Sequence, residues 1–261
     1  MLDDKERNIL RFAIASRFVV TVLAIATHAL IDPFDTSTHL LFKSSHLRFL
    51  QAFASWDGVH FLHIAQNGYS YEHSHAFFPL YPLAVRSLSA IPIYLSSAFD
   101  QDTHRTFPEI YVACGWIISN AAFVMAAVFL YRLGKLIFEG AKARKQYAER
   151  IARTGAYLFC ISPSSIFMSS LYSESTMCLF SFAGFYCIEK HKQKTKEQLQ
   201  TNRPVDQTYL WVCAILFGSI KVHTHTISWQ YTLRGIVCLL HHSARTLDVS
   251  VDIGSLQHLC C

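Results

Sequence analysis

The sequence predicts an all-α, polytopic membrane protein, and three observations carry that expectation. Apolar runs of helix-spanning length recur along the chain, only 16% of residues are charged, against roughly 25% in ordinary globular domains, and Lys and Arg gather in blocks between the runs. A surplus of 20 Phe and 12 Tyr fits lipid-facing and interfacial surfaces. The net charge of +5 is too modest and too clustered to argue for nucleic-acid binding.

Taken in order, the first span is expected at Ile9–Ile31, long enough to cross about 30 Å of hydrocarbon. Arg11 and Arg17 sit near its start, where they could snorkel toward headgroups. A second span, Ile110–Tyr131, is almost free of charge. The stretch Thr154–Ile188 is too long for one crossing and suits two, with Tyr172-Ser173-Glu174-Ser175 as the polar hairpin tip. A shorter run follows at Thr208–Ile220. Ala76–Phe99 is apolar but interrupted by Pro79, Pro82, Arg86 and Pro92, and reads as a re-entrant or interfacial element. The eight cysteines show no metal-ligand spacing; five of them (Cys114, Cys160, Cys178, Cys187 and Cys213) lie in apolar stretches, so small buried hydrophobes are expected rather than a disulfide framework. The first apolar run is longer than a signal-peptide core and lacks a clear small-residue cleavage site.

Charge orients the spans. Arg132, Lys135, Lys142, Arg144, Lys145, Arg150 and Arg153 form one basic block, and Lys190, Lys192, Lys194, Lys196 and Arg203 a second. Both are expected on the cytosolic side, with the hairpin between them returning to the same face. Residues 32–109 then form a long luminal segment, which holds seven acids and four Lys or Arg.

That segment carries the densest polar and aromatic sequence, Ser55-Trp56-Asp57-Gly58-Val59-His60-Phe61-Leu62-His63. As a helix it would set Asp57, His60, Phe61 and Ile64 on one face. Gly68–His75, with Glu72 and His73, reads as a loop, and Ala76–Leu83 as a membrane-surface element. An acid, histidines and aromatics near a bilayer suit a polar substrate carried on lipid. Glycosyl transfer from a lipid phosphate needs a base for the attacking hydroxyl and groups to hold phosphate charge; a lone Asp can be that base, and no carboxylate pair for hydrolysis stands out. Plainer readings stand beside this one. Asp57 as a helix N-cap, His60 and His63 as interfacial side chains, the four histidines around zinc, and Tyr172–Ser175 as a simple turn all remain open.

At these residues the chain resembles the GPI mannosyltransferase II family, multi-span enzymes of the GT-C class. The resemblance rests on Trp56–Ala65, Gly68–His73, Ala76–Pro82, Ser162-Pro163-Ser164-Ser165-Ile166-Phe167 and Tyr172–Ser175, and covers about residues 1–218. It implies a GT-C-type helical bundle in the endoplasmic-reticulum membrane, dolichyl phosphate mannose as donor and a GPI-precursor glycolipid as acceptor. The implied reaction adds an α-1,6-linked second mannose with inversion. It implies Asp57 as the catalytic acid-base group, with Glu72 as the alternative, and Trp56, His60, His63, Glu72, His73, Tyr172 and Glu174 as substrate contacts; no cofactor and no metal ligand is assigned, a metal requirement stays open, and there is room for a small membrane partner subunit. Residues 219–261 depart from the family pattern and read as a divergent tail. A catalytically inactive short form is the alternative within the family, and a membrane transporter the alternative outside it; a transporter should carry ionisable groups inside its spans, and the later spans carry almost none.

Overall fold

The computed structural model describes residues 3–31, 48–77, 79–99, 108–140, 145–162 and 164–200, with helical positions also at 208, 211, 212 and 215. Among the described residues every regular element is helical. They are α1 (Asp4–Leu30), a 3₁₀ helix (Arg48–Phe53), α2 (Asp57–Asn67), a second 3₁₀ helix (Glu72–Ala76), α3 (Leu80–Phe99), α4 (Pro108–Gly140), α5 (Lys145–Cys160) and α6 (Glu174–Gln200).

Among the described residues two helices are long and apolar enough to cross a membrane, Asp4–Leu30 and Pro108–Phe138; the first covers all but Ile31 of its expected span and the second contains Ile110–Tyr131. α1 starts at a capping box: the Asp3 carboxylate accepts from the Asp4 N–H, and Glu6 reaches back to the Asp3 N–H. α4 is the axis of the fold, packed by α6, α5, α1, α3 and α2. Small residues let helices close on it. A Cβ on Gly134 would sit 3.1 Å from the Ala152 Cβ, the sort of approach that supplies van der Waals contact where lipid removes the hydrophobic drive between helices. Ile9 and Ala13 of α1, Phe123, Ala127 and Tyr131 of α4, and Ala152, Ala156 and Cys160 of α5 form one core cluster. Cys114, Cys160 and Cys187 are buried thiols and Cys178 is half-buried.

The basic residues mark one end of this bundle. Arg132 of α4 grips Glu6 of α1 through two bonds of 2.7 and 2.9 Å, and Lys5 pairs with Glu149 of α5. The N-terminus and the Arg132–Arg153 block therefore share an end. Gly115, which meets Leu171, lies about 25 Å up α4 at 1.5 Å per residue, so residues 170–174 and α2 occupy the other end.

Arg17 departs from expectation. Instead of snorkelling it is 3% exposed and turns inward. Its guanidinium donates to the Ser165 carbonyl (3.0 Å), Ser165 Oγ (2.9 Å), Ser169 Oγ (3.1 Å) and Ser16 Oγ (3.0 Å). It also lies 3.7 Å from the Phe123 ring centre. The serine-rich turns supply acceptors that headgroups would otherwise have supplied, so burial outcompetes the reach to the surface.

The break within Thr154–Ile188 is present but broader than a four-residue tip: α5 ends at Cys160, the described residues at 161–162 and 164–173 are turns, bends and irregular backbone, and α6 begins at Glu174. Ala76–Phe99 resolves into the end of the second 3₁₀ helix and α3, whose apolar stretch Leu80–Leu95 is about 24 Å long, short of a full hydrocarbon core. Pro82 is tolerated in the first turn of α3, where no intrahelical N–H bond is needed. The run at Thr208–Ile220 and the tail 219–261 lie outside the described residues, apart from the helical positions at 208, 211, 212 and 215.

Candidate active site

The site is built around the entry into α2. After the first 3₁₀ helix the chain turns at Trp56, whose φ of 57° and ψ of −125° make it the one non-glycine residue with positive φ among those described. α2 begins at Asp57. Trp56, not Asp57, occupies the cap position, and no side-chain capping bond is made. The N-cap reading of Asp57 therefore fails, and its exposed carboxylate has no hydrogen bond or ion pair with another described residue. A carboxylate without a local structural partner is free to take a proton from a bound hydroxyl.

Tyr172 holds this turn from the far side of the fold. Its hydroxyl accepts from the Asp57 N–H and donates to the Ser55 carbonyl, both at 3.2 Å. Next to it, the Leu171 N–H donates to the Phe53 carbonyl at 2.8 Å. Ser119 Oγ of α4 donates to the Ser170 carbonyl at 2.8 Å and lies 2.8 Å from the Tyr81 hydroxyl. Residues 170–172 are thereby fixed between α4 and the turn. Burial pushes the Tyr172 phenol up to about 12, so it stays a neutral donor.

Glu174 stands at the mouth of α6, ahead of that helix's apolar stretch. Desolvation raises its carboxyl from the usual range, and the charge of Asp57 raises it further. Its own surface stays accessible, as for a side chain crowded by protein atoms in an open recess. Two acids therefore face one space, one of them inclined to hold a proton.

Beyond Asp57 the wall is a file of rings. His60 stacks on Phe77 (centroids 4.9 Å, 23°) and meets His73 edge-on at 5.5 Å. Tyr71 stacks on His73 at 5.4 Å and tilts against His63 at 5.4 Å. Phe61 meets both Phe77 and Tyr81 edge-on, so α2 presents imidazoles outward from an aromatic base. His63 Nδ1 lies 3.2 Å from Asn67 Nδ2, and its Nε2 is buried without a partner among the described residues. Among those residues no three His, Cys, Asp or Glu converge as a metal ion would need.

On the membrane side of the turn lies a recess of about 600 Å³. One stripe of α1, from Val20 through Leu23 and Thr27 to Ile31, forms its floor, and Ser55 and Ile166 close it. Its lining is mainly apolar, with Thr27, His28, Ser55 and Ser165 as the polar groups, and Ser55 adjoins the Trp56–Asp57 turn.

A sequence profile described as Mannosyltransferase (PIG-V) matches residues 5–227. The chain belongs to this family. It is 30% identical to the GPI alpha-1,6-mannosyltransferase 2 of Rattus norvegicus over 198 residues, covering 73% of this chain and 37% of that protein. The Mus musculus protein of the same name is 31% identical over 199 residues, again 73% and 37%. The GPI mannosyltransferase 2 of Yarrowia lipolytica is 30% identical over 240 residues, 91% of this chain and 55% of its own length. The chain thus spans little more than a third of the length of its rodent relatives. No solved structure matches.

In this PIG-V-family chain the expected site residues separate into three kinds. Asp57, His60 and His73 are brought together along α2 and the second 3₁₀ helix, with Glu174 facing Asp57 and Trp56 64% exposed at the turn. Glu72 is exposed at the start of the second 3₁₀ helix and makes no hydrogen bond or ion pair with another described residue. Tyr172 is 6% exposed, its hydroxyl bonded to backbone. The shared face expected for Asp57, His60, Phe61 and Ile64 divides, since Phe61 and Ile64 are buried while Asp57 is exposed. Sequence reasoning missed Ser55, Ser119 and Leu171, which carry no local pattern. Arg17 did carry one, an arginine inside a span, which marks a buried partner by default.

Proposed function

We propose that this chain is a mannosyltransferase of GPI-anchor assembly, acting in the endoplasmic-reticulum membrane as a multi-pass protein with Asp57 on the luminal face. The reaction is transfer of mannose from dolichyl phosphate mannose to a GPI-precursor glycolipid, forming the α-1,6-linked second mannose. The names of its relatives support the acceptor and linkage. The observation that carries the mechanism is Asp57, exposed and locally unpartnered at the end of the bundle away from the basic block.

The chemistry follows from that placement. The acceptor hydroxyl attacks the anomeric carbon as the bond from that carbon to the phosphate oxygen breaks, and the configuration inverts. The proton of the hydroxyl passes to the Asp57 carboxylate. The lipid phosphate leaves as an anion and needs no strong acid, only groups that hold its charge, which His60 and His73 are placed to be. The recess on α1 is mainly apolar and adjoins the Trp56–Asp57 turn, which suits the lipid part of a substrate whose polar head lies at Asp57.

The test is rescue of surface GPI-anchored protein in cells that lack the second GPI mannosyltransferase, with this chain and Asp57→Ala expressed to equal level. Rescue by the first and loss of about 10²-fold or more in the second is expected for a missing base. Equal rescue by both would remove Asp57 from the mechanism, and no rescue by the chain would remove the transferase reading.

A further inference from the structure

We propose that Tyr172 is a positioning residue for the transfer step: its hydroxyl ties the Ser55–Asp57 turn in the shape that presents Asp57, and it does not itself bind the acceptor sugar. This rests on the reading of Asp57 as the base.

The argument begins with the backbone. A tryptophan at φ 57° and ψ −125° is in a region that side-chain-bearing residues avoid, and such a conformation persists only where its surroundings over-determine it. Here they do. Tyr172 bonds the two peptide groups that flank Trp56, accepting from the Asp57 N–H and donating to the Ser55 carbonyl. Both capacities of the hydroxyl are then used within the protein.

The ring is equally constrained, with Phe167 edge-on at 5.2 Å and Phe61 at 6.4 Å. Below it, Leu171 is tied to Phe53 and Ser170 to Ser119. A rigid strut therefore runs from α4 through residues 170–172 to the turn. Without the hydroxyl, the Asp57 N–H loses its partner and the Ser55 carbonyl keeps only the Gly58 N–H at 3.1 Å; one hold on the Trp56 conformation is gone, and rotation toward negative φ becomes easier. That rotation swings the start of α2 and carries the carboxylate of Asp57 with it.

Tyr172→Phe keeps the ring packing and removes only the two bonds. Two measurements on the full chain in membranes or detergent decide the matter. Amide hydrogen exchange in the peptide covering residues 53–61 should speed up several-fold, with peptides of α4 unchanged. Transfer from dolichyl phosphate mannose should show kcat reduced about tenfold or more and KM within about twofold, since the lost alignment acts on the reacting geometry rather than on uniform binding. A raised KM with kcat retained would show that Tyr172 contacts substrate and would overturn the proposal. Unchanged exchange would overturn it whatever the kinetics, and faster exchange with intact kcat would leave Tyr172 structural only. Should the unaltered chain show no transfer, the proposed function fails and the positioning role with it, while the exchange result still reports whether the hydroxyl holds the turn.

Discussion

Gly115→Ala is a small change placed where the structure has no room. A Cβ at this position of α4 would lie 2.9 Å from Leu171 Cγ, 3.0 Å from Leu171 Cδ1 and 3.1 Å from the Tyr81 hydroxyl oxygen. Carbon atoms rest at about 3.5–4.0 Å, so Leu171 would have to withdraw by roughly 0.6–1 Å. It cannot do so freely: it is fully buried and its N–H is tied to the Phe53 carbonyl. Tyr81 is held as well, donating to the Gly115 carbonyl at 3.2 Å. Overpacking of this kind costs about 1–3 kcal/mol, which more than cancels the roughly 1 kcal/mol that alanine gains over glycine inside a helix. The assay is thermal stability of the detergent-solubilised chain for Gly115→Ala, Leu171→Ala and the double variant. Leu171→Ala alone opens a cavity and should cost about 2–5 kcal/mol, yet on that background Gly115→Ala should become neutral or stabilising. The coupling between the two sites should reach about 1–3 kcal/mol. Gly58→Ala is the control, because its nearest contacts are 3.5 and 3.6 Å, and it should be neutral or mildly stabilising. Strictly additive costs in the double variant would refute the contact on which residues 170–172 are seated.

Two further outcomes are expected. Arg17→Ala should destabilise the chain by about 1–3 kcal/mol, because Ser165, Ser169 and the Cys160 carbonyl at the end of α5 lose their shared donor; Arg17→Lys should recover only part of this, since an ammonium lacks the planar fork. A wild-type melting profile for Arg17→Ala would refute the inward placement. Glu174→Gln should stabilise the chain at neutral pH: burial and Asp57 raise the carboxyl, so its ionised form is disfavoured in the fold. The stability contributed by protonated Glu174 is fully present in acid and lost as pH rises through the raised pKa. The advantage of glutamine should therefore shrink as pH falls and vanish below the ordinary carboxylate range. It should be small, since Glu174 keeps accessible surface, and an advantage that grows toward acid would contradict the sign.

Where a feature depends on near neighbours in the chain, the residues disclose it. Ile110–Tyr131 reads as a span because a long run of apolar residues has few other uses, and the structure builds α4 over it. The acid and histidines of Trp56–His63 read as a candidate site because they are dense, polar and aromatic at once, and α2 with the second 3₁₀ helix brings Asp57, His60 and His73 to one wall.

Relations between distant residues come from the packed bundle alone. An arginine inside a span signals a buried partner, but which groups receive Arg17 depends on serines 148 and 152 positions away, and its own neighbourhood does not name them. The family resemblance gave Tyr172 as a substrate contact; that its hydroxyl is bonded to the backbone at Asp57, 115 positions distant, is written in no local pattern. Asp57 looked like a helix cap because an acid before an apolar run commonly is one, until a positive φ at Trp56 put the cap one residue earlier. The physical reason is common to all three. Hydropathy, charge and helical period act over a few residues and are written in the sequence, whereas a buried donor's choice of acceptor is set by which helices pack together, and that is settled only when the bundle closes around α4.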